Sequence, residues 1–205
     1  MLGTKVLEIK KSKFNGEVKV IRSFGLGTYI QVGGLTQSGG IVESIWKSTL
    51  KEIKNTDVSS VLILGLGGGT LAKLSQKIWP HSEITGVDID PIIVDMGRKY
   101  LGLDNVEIKI EDASKFIQKN KSKKYDLILV DMYQGSDYPE KFEEIDFIKS
   151  VKNLSNKNGV IIFNRLYSGD KRPVAVRFGL KLQKIFKKTD YFYPEANLMF
   201  INFVS

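Results

Sequence analysis

Residues 61–70, VLILGLGGGT, constrain the fold of this chain more than any other stretch. An apolar run of strand type breaks into Gly65, Gly67, Gly68 and Gly69 just before a helical pattern begins. A strand, glycine turn and helix in that order open a nucleotide-binding α/β domain. Because glycine has no Cβ, a ligand can lie against the main chain at the helix N-terminus. An acidic residue ending the next strand then reaches the ribose hydroxyls. The VDID run at 87–90 puts Asp88 in that place, with Ile89 beside it.

The rest of the chain extends the pattern. Residues 6–10, 18–22 and 28–32 are short β-branched runs separated by Asn15-Gly16 and by Gly25 and Gly27, which predicts a small antiparallel sheet. Ile41, Ile45, Trp46, Leu50 and Ile53 recur at helical spacing. A polar junction at 55–59 then divides the chain into residues 1–55, small N-terminal strands plus a helix, and 56–205, an α/β domain. Within the latter, strands are expected at 60–64, 83–87, 106–110, 126–130 and 159–163, each separated by room for a crossover helix. Two last strands, at 189–193 and 198–203, are too close together for a helix and must be antiparallel. A Rossmann-like, mostly parallel sheet whose final strand folds back antiparallel is the arrangement of class I S-adenosylmethionine-dependent transferases.

Composition removes several alternatives. The chain has no cysteine, so disulfides and thiolate metal sites are excluded, and its one histidine, His81, falls in a turn after a helix. No apolar run approaches the length of a membrane span and no signal segment is evident, so a cytoplasmic protein is expected. The net charge of +8 is spread over helix and loop surfaces rather than gathered into a stripe, which argues against a nucleic-acid partner. The DMYQ that follows the fourth strand also differs from the [D/N]-P-P-[Y/F] of enzymes that methylate flipped bases. The acids are scattered over separate strand ends, which supports no metal site.

Those strand ends are where an open α/β sheet binds its ligand. Asp88 and Asp90 end strand two, Glu111 and Asp112 follow strand three, and Asp131 ends strand four. Asp88 suits a ribose diol and Asp112, beside Ala113, the adenine amino group, although Asp112 also reads as a helix N-cap. Asp131 is expected near the reactive end of the ligand. A sulfonium carrying an ammonium group favours such an acidic cavity even in a basic protein.

With these residues placed, the chain resembles the spermidine synthase (polyamine aminopropyltransferase) family. The glycine strand is similar to that family's VLIIGGGDGG, VDID to its VEID, YDLILVD at 125–131 to its YDVIIVD, and Glu111-Asp112 to its glycine-aspartate pair. GLTQ at 34–37 resembles the G-x-x-Q segment, which implies that Gln37 belongs to the nucleoside pocket. Departures are equally specific. Gly68 stands where the family carries an aspartate for the aminopropyl ammonium, Met132-Tyr133-Gln134-Gly135 replaces S-S-D-P, and Trp46 replaces a tyrosine.

Losing two carboxylates removes two charge-assisted partners for ammonium groups. The leading expectation is therefore methyl transfer from S-adenosylmethionine to a small acceptor, with Asp131 as catalytic base and Tyr133, Gln134 and Tyr138 in the acceptor pocket. Residues 132–141 would form a lid. The alternative keeps the family's reaction, aminopropyl transfer from decarboxylated S-adenosylmethionine, with Asp137, Glu140 and Glu195 as substitute carboxylates. A non-catalytic nucleoside-binding protein is the third. The N-terminal edge strands offer a route to a homodimer.

Overall fold

A computed structural model describes residues 3–204. The chain opens with an antiparallel sheet of four strands in sequential order, β1 (Lys5–Ser12), β2 (Gly16–Ser23), β3 (Gly27–Val32) and β4 (Leu35–Gly39). Three of them coincide with the expected runs. The fourth lacks a β-branched alternation, and what makes it a strand is the turn before it. Gly33 and Gly34 both take left-handed φ, at 54° and 85°, which closes a two-residue hairpin and pairs Val32 with Leu35.

Helix α1 (Gly40–Lys51) follows and buries Ile45, Trp46, Thr49 and Leu50. The chain then alternates: β5 (Ser60–Leu64), α2 (Thr70–Ile78), β6 (Glu83–Asp88), α3 (Pro91–Tyr100), β7 (Glu107–Ile110), α4 (Ala113–Lys119) and β8 (Tyr125–Val130). Next come a 3-10 turn (Glu140–Phe142), α5 (Ile145–Asn153), β9 (Ser155–Leu166), α6 (Lys171–Gln183), β10 (Lys188–Phe192) and β11 (Asn197–Phe203). Every expected strand of the α/β part is present. No described helix is long and apolar enough to cross a membrane.

The large sheet has the order β10-β11-β9-β8-β5-β6-β7. Strands β5 to β9 are parallel, while β11 runs antiparallel between β9 and β10. Because β5 lies inside a sheet covered on both faces, its side chains alternate between two cores. Val61 and Ile63 join the core beneath α1, α2 and α3, whereas Leu62 and Leu64 join the one beneath α4, α5 and α6. The first core continues without interruption into Val18, Val20, Ile30 and Val32 of the small sheet. That shared core holds the small sheet over the carboxyl ends of the parallel strands. A polar clasp adds to it, since Asp90 accepts hydrogen bonds from Ser12 Oγ (2.5 Å) and Asn15 Nδ2 (2.7 Å) while capping α3.

The switch of strand order lies at β5, with β6 on one side and β8 on the other. Connections from their carboxyl ends leave in opposite directions there and open a crevice.

Candidate functional site

A cavity of about 490 Å³ occupies that crevice, roofed by β4 and α1. Its floor is built by the glycine turn. Gly65 has φ 87°, and a Cβ on it would overlap the carbonyl of Asp131, with the carbonyl carbon 2.8 Å away. Absence of a side chain lets β5 end directly against the start of the Asp131 loop. Gly67 donates its N–H to Asp88 Oδ2 at 2.7 Å, and Asp88 Oδ1 accepts from Asp90 N–H at 2.9 Å. Burial pushes the Asp88 carboxyl up to about 6, against the pull of those backbone bonds.

Gly65, Gly67, Asp88, Ile89, Asp112, Ala113, Gln37, Asp131, Tyr133 and Gln134 all line the cavity. Three of the sequence-derived candidates do not. Gly68 is turned away from it: its N–H donates to Ser38 Oγ at 2.7 Å, and a Cβ would lie 2.6 Å from Ile30 Cδ1 and 2.9 Å from Leu101 Cδ1. Gly69 faces Leu103 instead. These two glycines serve the closure of the small sheet and α3 onto the turn. A side chain at position 68 requires the terminal methyl groups of Ile30 and Leu101, and Ser38 Cβ, to shift.

Tyr138 is the third correction. Its ring lies in the core beside Phe142 and Phe178, with the Arg165 guanidinium carbon 3.9 Å from its centre, and its hydroxyl is buried without a partner. The hydroxyl is accordingly pushed far up by burial. Arg165 is itself buried and donates to Glu143 Oε1 at 2.5 Å. Tyr138 thus anchors the 132–141 loop from below. Tyr133 does face the cavity, yet its hydroxyl accepts from Leu166 N–H at 2.6 Å, and burial pushes its pKa to about 12. The 132–141 loop is pinned from above as well, because Gln37 Nε2 donates to the Gly135 carbonyl at 3.1 Å. Gln37 therefore spans the cavity mouth.

Asp112 lines the cavity and also serves as the N-cap of α4. Oδ1 caps α4 by accepting from Ser114 N–H (2.9 Å) and Lys115 N–H (3.2 Å), and Oδ2 takes Lys141 Nζ at 2.5 Å. Burial works against its charge, but the bonds from Lys141 and the backbone outweigh it and hold the carboxyl below its usual range. Lys141 is a site residue that spacing could not reveal.

Asp131 lies at the centre. Trp46 Nε1 donates to Oδ2 at 2.8 Å and Asn164 Nδ2 to Oδ1 at 2.9 Å, while Asn164 Oδ1 accepts from Asn197 Nδ2 at 2.7 Å. Both donors are neutral, so burial prevails and raises the Asp131 carboxyl above the ordinary carboxylate range. Each of its oxygens keeps a second lone pair, which lets Asp131 accept a proton from a molecule in the cavity. Trp46 was visible in the sequence only as a departure, and Asn164, near the end of β9, was not singled out as a site residue. Their bonds to Asp131 join positions 85 and 33 residues apart.

Five carboxylates line the cavity, from Asp88, Glu111, Asp112, Asp131 and Glu195, against one ammonium, that of Lys141. Asp137 and Glu140, two of the three expected substitutes, lie outside it. The pocket is thus acidic and partly apolar in a chain of net charge +8, a local field that attracts cations.

The sequence pattern of the spermine/spermidine synthase domain matches residues 43–203. The chain belongs to the spermine/spermidine synthase family. A polyamine aminopropyltransferase of Vibrio vulnificus (strain CMCP6) is 30% identical over 135 residues, covering 61% of this chain and 45% of that protein. An N-terminal histidine N-methyltransferase of Emericella nidulans is 31% identical over 145 residues, covering 67% of this chain and 25% of that one. The chain thus spans about half the length, or less, of these two curated relatives. The crystal structure of spermidine synthase from Thermotoga maritima superimposes with a TM-score of 0.80 at 18% identity, covering 98% of this chain and 73% of that one. The family fold therefore extends over nearly the whole chain, small sheet included.

Proposed function

We propose that this family member binds decarboxylated S-adenosylmethionine in the cavity and transfers its aminopropyl group to an amine. The observation that carries the reading is the charge of the lining. The donor bears a sulfonium and an ammonium and no carboxylate, which suits five carboxylates and a lysine already engaged by Asp112. Intact S-adenosylmethionine brings a carboxylate of its own. At about 4 Å from an uncompensated lining carboxylate, that group costs about 4 kcal/mol at an intermediate effective dielectric. Family membership favours the same donor, and together they outweigh the preference for methyl transfer that the missing family carboxylates suggested.

In this reading Asp88 holds the ribose diol, Ile89 and Ala113 flank the adenine, Asp112 meets its amino group, and the backbone at Gly65 and Gly67 lies along the nucleoside. Asp131 takes the proton that the acceptor nitrogen sheds. The nitrogen lone pair attacks the carbon beside the sulfonium, and the carbon–sulfur bond breaks with its electron pair passing to sulfur. The products are the alkylated amine and neutral methylthioadenosine. The Trp46 and Asn164 bonds fix the direction of the Asp131 oxygens, so the enzyme's work is alignment and exclusion of water as much as proton transfer.

A second reading is methyl transfer, which the filled space at Gly68 favours because no acid there awaits an aminopropyl ammonium. Incubation with each donor and diaminobutane separates the two. Methylthioadenosine formed from the decarboxylated donor is expected, and S-adenosylhomocysteine formed from the intact donor alone would reverse the assignment.

Nucleoside binding should depend on pH through Asp88. The protonated carboxyl can no longer accept at every lone pair, so the thermal shift produced by methylthioadenosine should shrink as pH falls through about 6. Folding responds with the opposite sign. A carboxyl raised above its unfolded value of about 3.9 opposes folding while ionised, and this penalty is relieved as pH drops from about 6 towards that value. An Asp88→Asn variant that keeps the full pH dependence of the ligand-induced shift would remove Asp88 from this role.

A further inference from the structure

We propose that the outer face of α6, with the tyrosines beside it, binds single-stranded nucleic acid. This goes beyond the transferase reading and does not depend on it.

Of the 31 Lys and Arg residues of the chain, seven fall between Lys171 and Lys188, a stretch that holds no Asp or Glu. The other 24 are matched by 23 acids, so this one segment carries nearly all of the net charge of +8. The expectation of an evenly spread charge fails here. Because α6 buries Ala175, Phe178, Gly179 and Leu182, it turns Arg172, Arg177 and Lys184 outward, and Lys187 is exposed just beyond its end. Among the described residues, the ion pairs of the segment are Lys171 with Asp137 at 3.9 Å and Lys188 with Asp190 at 3.3 Å. Arg177, Lys184 and Lys187 have no carboxylate within that reach, and such an uncompensated cluster draws phosphate.

Charge alone attracts any polyanion, and the aromatic side chains narrow the class. Tyr193 is 57% exposed and Tyr191 40%. Tyr193 meets Tyr167 edge to face, with ring centres 5.5 Å apart, and the Arg172 guanidinium lies 5.6 Å from the centre of the Tyr167 ring. Towards the other end of the helix, Gln183 Nε2 donates to Tyr191 Oη at 2.6 Å. These contacts join α6 and the edge strand β10 into one face on which rings and cations alternate. Unpaired bases stack on exposed rings while cations hold the backbone, whereas a duplex keeps its base faces covered. An anionic membrane fits less well. Lipid binding by a surface helix needs a broad free apolar face, and α6 exposes only two large aliphatic side chains, Val176 and Leu180.

Fluorescence anisotropy with a labelled oligouridylate of about 12 nucleotides tests this. Wild type should bind with a Kd on the order of 10 μM near physiological salt, weakening as salt rises. Combined Arg177→Gln, Lys184→Gln and Lys187→Gln should weaken binding about tenfold or more and make the slope of log K against log salt shallower by about 2. Tyr193→Ala should cost about tenfold and leave that slope unchanged. Lys47→Gln, Lys51→Gln and Lys54→Gln together remove the same charge at exposed positions on and just after α1, across the sheet from α6, and should leave binding close to wild type. All the replaced side chains are exposed or on the surface, so an unchanged Tm accompanies the expected result. No binding by wild type, or an equal loss in the α1 and α6 variants, overturns the proposal. Equal affinity for a duplex of the same length, or no loss in Tyr193→Ala, overturns the single-stranded assignment. Retention on vesicles of phosphatidylcholine and phosphatidylserine without binding to the oligonucleotide overturns it in favour of a membrane.

Discussion

Replacing Asp131 by Asn should lower kcat for methylthioadenosine formation by a hundredfold or more, roughly the contribution of a positioned general base. Binding of methylthioadenosine, which contacts the glycine and Asp88 side of the cavity in this account, should change little. The structure also predicts a stability cost. Trp46 Nε1 and Asn164 Nδ2 each point a donor at one oxygen of Asp131, so an asparagine presents its own N–H₂ to one of them. Asn164 can turn its amide to offer oxygen only by giving up the bond from Asn197. A buried donor facing a donor costs about 1–3 kcal/mol, which thermal unfolding of the variant will register. The pH profile supplies an independent check. Because burial raises the Asp131 carboxyl, wild-type activity should fall on the acid side at a higher pH than an ordinary carboxylate would give, and the variant's residual activity should lack that limb. Retention of most of the activity in the variant would remove Asp131 as the proton acceptor.

Gly65→Ala is the second large expectation, and it acts on fold and site together. At φ 87° an alanine costs about 1–2 kcal/mol in backbone strain. Its Cβ would also press into the Asp131 carbonyl group and approach Met132 N to 3.4 Å, an overpacking worth about 1–3 kcal/mol more. Against a typical total of about 5–15 kcal/mol, the sum is a large fraction. A fall in Tm on the order of 10 °C follows for a chain of this size. Activity should drop further than stability, because relieving the overlap means moving the backbone that carries Asp131. Gly102→Ala gives the comparison, since Gly102 has φ 69° but open space where a Cβ would go. Melting of Gly65→Ala at or above Gly102→Ala would show that the close approach to Asp131 has no energetic weight.

Much of the fold was legible because local pattern and global arrangement agree. The apolar run 61–64 needs two covered faces, and the segments between strands have the length of crossover helices, so the parallel sheet follows from short-range information. The antiparallel close of the sheet was equally readable, since four residues cannot return the chain to a parallel start. Strand β4 escaped because its evidence lay in the Gly33-Gly34 turn and not in its own residues. That Gly-Gly pair between two short runs was a hairpin signal in plain view.

The acids at the strand ends were likewise fixed by topology, and Asp88, Asp112 and Asp131 do converge on one cavity. Which of them is free, and to do what, was not. Gly68 carries the same composition signal as Gly65 but faces Ile30 and Leu101, and Tyr138 shares its loop with Tyr133 but points into the core. Direction depends on which neighbour reaches the residue first.

The sequence alone determined a glycine turn at the switch of a parallel sheet, an acidic rim around it, and the family to which both belong. Only the tertiary structure decided that Trp46 and Asn164 orient Asp131, that Gln37 and Tyr138 hold the 132–141 loop from above and below, and that, of the cavity's carboxylates, Glu195 alone has no partner among the described residues. The reason is physical. Periodicity and turn chemistry act over a few residues and are written along the chain, whereas the partner of a buried carboxylate is set by contacts between positions tens of residues apart.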